Sequence, residues 1–214
     1  MTGGMKSGGT KFEKQVIKPR HDVRLARRSR RYADGSNKFE IRDMARAALF
    51  AALLCVVAPF SIVVGPIPLS FATLLIYLAA GVLDWRTSAL SVVLYVFLGA
   101  VGLPVFTNFE GGFHKIAGVT GGYIIGYIPC VMAAGAVLKV FGRKLLPYIL
   151  GMALGTVLLY TCGTVWFITQ TGTPLAASLA LCVTPFLPGD AAKIAVACAA
   201  APKLRDALSR AARN

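Results

Sequence analysis

Acidic residues are scarce in this chain: nine Asp and Glu stand among 214 residues, against 23 Lys and Arg. Charged residues make up only 15% of the chain and the mean hydropathy is +0.66, too little charge to clothe a water-exposed globule of this length. Histidine is almost missing, with His21 and His114 alone. That leaves no nucleophile–His–acid set and little to ligate a metal, so neither catalysis nor a metal centre is expected. The five cysteines (Cys55, Cys130, Cys162, Cys182 and Cys198) all lie in apolar runs, and no Cys-x-x-Cys pair occurs. They read as small apolar residues rather than ligands. No Gly-x-x-x-x-Gly-Lys-Ser/Thr loop is present, so the chain cannot draw on ATP by itself, and no cofactor is expected. There is no repeat of 20–50 residues, and no inverted repeat of the kind a stand-alone secondary transporter normally shows.

What charge there is sits at the ends. Residues 1–43 hold twelve Lys/Arg and five acids, 44–202 hold seven and three, and 203–214 hold four and one. A basic arm, an apolar body and a short basic tail follow. The arm lacks a nucleic-acid-binding motif and flanks hydrophobic segments, so its charge reads as membrane topology and attraction to lipid headgroups. It also lacks a cleavage-site pattern and carries acids, so it reads as a disordered cytoplasmic arm rather than a targeting peptide.

The body divides into six hydrophobic segments, at about 44–64, 69–83, 87–101, 120–141, 145–169 and 175–201. The expected fold is an all-α polytopic bundle of about six transmembrane helices, a bilayer core of roughly 30 Å needing about 20 helical residues per span. The segments 1–43, 84–86, 142–144 and 203–214 hold nearly all the Lys/Arg outside the helices, whereas 65–68, 102–119 and 170–174 hold only Lys115. That asymmetry places both termini in the cytoplasm. Trp85, at the inner boundary, reads as an interfacial anchor.

Two places carry polar or oddly shaped residues. Asp190 and Lys193 lie three apart in the last segment, just after Pro188-Gly189. If a helix opens there, both project from one face, and each would cost about 2.5–3.5 kcal/mol at the bilayer centre unless partnered. They mark a candidate site; a purely structural ion pair at a helix start is the competing reading. The second place is the glycine-rich stretch 102–119. Gly111 and Gly112 permit close backbone approach, Asn108 and Lys115 offer polar contacts, and Phe106, Phe109, Phe113 and Tyr123 offer apolar surface. On the first segment, Ala47/Ala51 and Ala48/Ala52 are small residues four apart, a spacing that lets another helix dock closely.

Several motifs then occur in a telling order: Gly65-Pro66-Ile67-Pro68, Gly102-Leu103-Pro104-Val105-Phe106, Gly111-Gly112, Thr120-Gly121-Gly122-Tyr123, and Pro185-Phe186-Leu187-Pro188-Gly189-Asp190 through Lys193. Over about residues 44–202 the chain resembles the BioY family, the biotin-specific S components of energy-coupling-factor (ECF) transporters. It departs from the family pattern at Val119, where a proline usually precedes Thr-Gly-Gly-Tyr, and at Ala72, where glutamine is common; its basic arm is also long.

The resemblance implies a compact six-helix bundle over 44–202 that binds biotin at the extracellular face. It also implies a transmembrane T component and two ATP-binding subunits as partners, with the alanine face of the first helix docking on the T component and Asp190 and Lys193 in the substrate site. For such a ligand, Lys115 and N–H groups near Gly111-Gly112 are candidate donors to the carboxylate. Asp190 is a candidate acceptor from the ureido N–H groups. Lys193 could donate to the ligand, including its carboxylate, or hold Asp190 in place. Phe106, Tyr123 and Trp166 could cover the rings. The alternative function is a stand-alone secondary transporter of a small anionic vitamin.

Overall fold

The computed structural model describes residues 41–64 and 67–211; the basic arm up to residue 40 and the Gly65-Pro66 turn lie outside the described residues. Within them run eight α-helices: α1 (Ile41–Val57), α2 (Ala72–Val82), α3 (Trp85–Val101), α4 (Phe113–Ala117), α5 (Gly121–Phe141), α6 (Leu145–Thr171), α7 (Leu175–Cys182) and α8 (Leu187–Ala211). Strands β1 (Ser61–Val64) and β2 (Ile67–Ser70) join α1 to α2 as an antiparallel hairpin in register Ser61↔Ser70.

The helical expectation holds apart from this hairpin, which corrects the first two segments. The first was read as helical to residue 64, but α1 stops at Val57, just before Pro59. The β-branched run Ile62-Val63-Val64 then favours extended backbone. The last segment is interrupted where its prolines cluster, but the break expected over Pro185–Asp190 lies earlier, at 183–186, and Pro188 and Gly189 fall inside the first turn of α8; α7 and α8 meet at 48°. α8 then continues through Pro202 to Ala211.

α5 and α6 are each long and apolar enough to cross a membrane, and the bent α7–α8 pair meets the same test when taken together. α2 spans only eleven residues, about 16 Å of helix, less than a bilayer core needs. It is buried on nearly every side because it is the hub of the bundle, packing against α1, α3, α5 and α8.

The tightest pairing is α5 on α6, and it is built from glycine. Gly122 and Gly126 on α5 and Gly151 and Gly155 on α6 are small residues four apart, and each lies against the partner helix. A Cβ on Gly122 would meet the Trp166 Cβ at 2.2 Å, and one on Gly155 would meet the Cys130 carbonyl oxygen at 2.7 Å. This close approach is the small-residue packing expected between apolar helices. It was expected on α1, where only part of it is found. Ala47 and Ala51 are 0% and 4% exposed inside the bundle's own core, while Ala48 and Ala52 are exposed. One residue step turns a helix by about 100°, so the two pairs face different ways. Ala47 and Ala51 are therefore unavailable as a docking surface.

The two ends of the bundle are fastened differently. At the basic end, Arg143 in the α5–α6 turn donates to the carbonyls of Gly81 and Leu83 (2.8 Å for the latter) and pairs with Asp84 at 3.3 Å, which caps α2. Tyr148 adds a bond to the Gly81 carbonyl at 3.1 Å. Trp85 lies between the cations of Arg86 and Lys139, 5.1 and 5.4 Å from its ring. At the opposite, loop end, the Thr107–Phe109 turn locks onto the α1–β1 connection. Asn108 N–H donates to the Pro59 carbonyl at 3.0 Å, Ser61 Oγ donates to Asn108 Oδ1 at 2.9 Å, and Phe109 stacks edge-on against Phe60.

Gly155→Val should force α5 and α6 apart, because the atom in its way is a backbone carbonyl that cannot rotate aside. We expect a loss of about 1–3 kcal/mol, read as a lower unfolding midpoint of the purified chain in detergent. An unchanged midpoint would mean that the helices have room to spare.

Candidate functional site

An apolar bundle has few places for polar side chains, and here they converge. α2 contributes Thr73 and Tyr77, α6 contributes Thr156, Tyr160 and Thr164, and α8 contributes Asp190 and Lys193; the end of β2 adds Ser70. On α6 the three lie at intervals of four, which places them on one face of the helix. Asp190 falls in the first turn of α8, as the spacing predicted, where the helix dipole favours a carboxylate.

Asp190 and Lys193 are 4% and 8% exposed. Lys193 Nζ donates to Asp190 Oδ1 at 2.9 Å, to Thr73 Oγ1 at 2.9 Å and to the Ser70 carbonyl at 2.8 Å. An ammonium group has three N–H donors, so Lys193 is saturated. Asp190 Oδ2 accepts a short bond from Tyr160 at 2.6 Å. The single Thr73 hydroxyl proton lies 3.4 Å both from Asp190 Oδ1 and from the Ser70 carbonyl, and cannot serve the two at once. A carboxylate offers about four lone-pair sites, so with Lys193, Tyr160 and a shared Thr73 it keeps room for at least one more donor.

Around this ion pair the other hydroxyls are tied off. Thr156 donates to the Met152 carbonyl at 2.8 Å, so in its 2.6 Å contact with Tyr77 the tyrosine is the donor. Tyr123 reaches the Cys182 carbonyl at 3.4 Å, with its ring packed on Gly163. Thr164 is the least well served: its buried hydroxyl has the Tyr123 hydroxyl as its neighbour, outside good hydrogen-bond geometry. A buried hydroxyl so weakly partnered gains from a further polar contact.

The other sequence candidates are placed differently. Lys115 pairs with Glu110 at 2.6 Å. The Gly112 N–H donates to the Gly99 carbonyl at 2.7 Å, so it is not an open donor as expected. Gly111 packs its backbone against Leu103. Asn108 is engaged with Ser61 in the left-handed conformation, φ 63°. Phe106 corrects the expectation of a ring-covering residue: it is fully buried, wedged on Gly99 and edge-on to Tyr95, and acts as a core residue beneath the loop. Trp166 is half-buried and donates to the Gly118 carbonyl at 2.9 Å, which ties α6 to the loop just before α5. Among the described residues, no hydrogen bond or ion pair joins Asn108 or Lys115 to Asp190.

Tyr160, Thr73 and Ser70 were missed by sequence reasoning, although all three touch the ion pair. The α6 stripe Thr156/Tyr160/Thr164, in an otherwise apolar run, was the available signal. Ser70 could not be found this way, since it acts through its main-chain carbonyl.

The BioY family model matches residues 30–210. A probable biotin transporter BioY of Pyrococcus horikoshii is 35% identical over 77% of this chain and 96% of its own length. A biotin transporter BioY of Rhodobacter capsulatus is 30% identical over 72% of this chain and 88% of its own. A crystal structure of the S-component for biotin from an ECF-type ABC transporter superposes with TM-score 0.71 at 25% identity, over 78% of this chain and 92% of that one.

Removing one partner of the buried pair should be far worse than removing both. Lys193→Met leaves the Asp190 carboxylate uncompensated and should cost about 3–5 kcal/mol of folding stability. The Asp190→Leu/Lys193→Met double variant should recover much of that loss in reversible unfolding from mixed micelles. Equal losses in the two would show that the pair is not electrostatically isolated.

Proposed function

Because this chain belongs to the BioY family of membrane proteins, we propose that it is the substrate-capturing S component of an ATP-driven vitamin importer, taking biotin from outside the cell and handing it inward together with ECF partners. The observation that carries this reading is the Asp190–Lys193–Tyr160–Thr73 cluster: a buried, polar, incompletely filled site in a wall of apolar helix. Intramembrane ionisable residues are expensive and mark substrate sites by default.

In this reading Asp190 accepts from the ureido N–H of biotin through its spare lone pair. Lys193, already saturated, holds the carboxylate in place and ties β2 to α8. Tyr160 fixes the other carboxylate oxygen, and Thr164 offers its poorly partnered hydroxyl. Tyr123 and Trp166 flank the ring system. Lys115 exchanges Glu110 for the ligand carboxylate when the loop bearing Asn108, Gly111 and Gly112 closes over it. No bond is made or broken in the ligand, and the chain acts as a carrier rather than an enzyme.

The topology follows from the same reading. Residues 44–202 form the binding domain, with α1, α2, α3, α5, α6 and the α7–α8 pair as six spans. The arm 1–43 and the tail 203–214 lie in the cytoplasm, the binding cluster lies toward the outer side, and the basic end lies inside. Release requires energy from outside the chain, supplied by a transmembrane T component and two ATP-binding subunits. The corrected docking face on α1 is the exposed stripe with Ala48 and Ala52.

Purified chain should bind labelled biotin saturably with Kd below ~1 µM. Asp190→Asn, which keeps the shape but loses the charge, should weaken binding roughly 10- to 100-fold, the worth of a charged hydrogen bond. Wild-type affinity in this variant would move the site elsewhere. For docking, Ala48→Leu/Ala52→Leu should reduce co-purification of the T component while biotin binding persists. Ala51→Leu should instead lower stability by overpacking. The reverse pattern would remove α1 as the docking helix.

A further inference from the structure

A second feature of the bundle is unconnected to the vitamin site. Between the first turns of α6 and the outer face of α8 lies an apolar groove of about 530 Å³, lined by Leu145 and Ile149 from α6 and by Ala191, Ile194, Ala195, Cys198 and Ala199 from α8. From Ala191 to Ala199 the stripe climbs eight residues of helix, about 12 Å, close to the hydrocarbon depth of one leaflet, about 15 Å. The groove exists because alanines at intervals of four leave α8 flat where Leu145 and Ile149 stand proud.

The groove ends in positive charge. Lys203 is the next member of the stripe after Ala199, and Lys144 immediately precedes Leu145. Both are exposed, and no carboxylate among the described residues pairs with either. Charge of both signs gathers at this end: the pKa of Arg205 is lowered by burial and by the neighbouring Arg143, against the opposing pull of Asp84 and Asp206. An apolar trough one leaflet deep, closed at headgroup level by two unneutralised ammonium groups, matches the two halves of one molecule.

We propose that this groove is a binding site for an anionic phospholipid of the leaflet at the basic end, with one acyl chain along Ala191, Ala195 and Ala199 and the phosphate between Lys144 and Lys203. Charge argues against a second copy of the chain there. A two-fold partner packed on the same stripe in the same membrane orientation would bring its own Lys144 and Lys203 against these, at a cost in like-charge repulsion. A lipid phosphate neutralises them, as basic pockets between helices do elsewhere.

The test is native mass spectrometry of the full chain released from detergent, with dioleoyl phosphatidylglycerol and dioleoyl phosphatidylcholine added in equal amounts. The wild-type chain should retain phosphatidylglycerol over phosphatidylcholine. Lys144→Gln/Lys203→Gln should lose about fivefold in phosphatidylglycerol affinity per lysine, roughly 25-fold in all, with phosphatidylcholine unchanged. Ala195→Leu, which fills the trough, should lose phosphatidylglycerol as well. Both variants should keep wild-type biotin binding, so failure here is separate from failure of the vitamin site. Equal retention of the two lipids by the wild type, or undiminished phosphatidylglycerol in the double variant, would overturn the proposal. So would a dimer that Ala195→Leu dissolves, which would make a second copy the occupant.

Discussion

One buried ion pair organises the upper half of this molecule. Placing a carboxylate and an ammonium group among apolar helices is unfavourable unless every proton and most lone pairs find partners. Asp190 and Lys193 meet that demand by drawing in three other groups. The β2 carbonyl at Ser70, the Thr73 hydroxyl on α2, and Tyr160 on α6 are all aimed at them. Satisfying the pair therefore fixes the hairpin, the hub helix and two outer helices relative to one another. It also explains why α2 can be short and buried: directly after β2 has placed the Ser70 carbonyl, α2 carries Thr73 to Lys193, with Tyr77 braced against Thr156.

The same demand gives the site its openness. Lys193 has no donor left, but Asp190 retains acceptor capacity, and Thr164 lies one turn further along α6 than Tyr160 with its hydroxyl poorly partnered. A site complete enough to hold its shape and incomplete enough to want a ligand is what a capture protein requires. Catalysis would need a reacting group beside it, whereas binding needs only complementary donors and acceptors. The closely packed α5–α6 pair, whose glycines admit the side chains and carbonyls of the partner helix, presents Tyr123 and Tyr160 toward the site.

The sequence was most legible where physics is local. Hydrophobic segments, the helix opening at Pro188-Gly189, and the Asp190/Lys193 spacing could be read directly, because span length and helical period leave few alternatives. The hairpin was missed because 61–70 is as apolar as a helix end, and only β-branching and proline speak against one. Phe106 was misassigned because an aromatic in a loop looks like ligand surface until its ring is found on Gly99. Lys115 and Gly112 looked available because their partners, Glu110 and the Gly99 carbonyl, are set by how the loop folds back. Half of the α1 alanine face was lost because which of two adjacent stripes turns inward is decided by the neighbouring helices.

The position of bound biotin is the most direct test of the role given to Asp190. A structure of the full chain with biotin should show a ureido N–H within about 2.7–3.2 Å of the Asp190 carboxylate, with Lys193 still joined to the Ser70 carbonyl. Biotin found elsewhere in the bundle, with the Asp190–Lys193–Tyr160 cluster untouched, would contradict it.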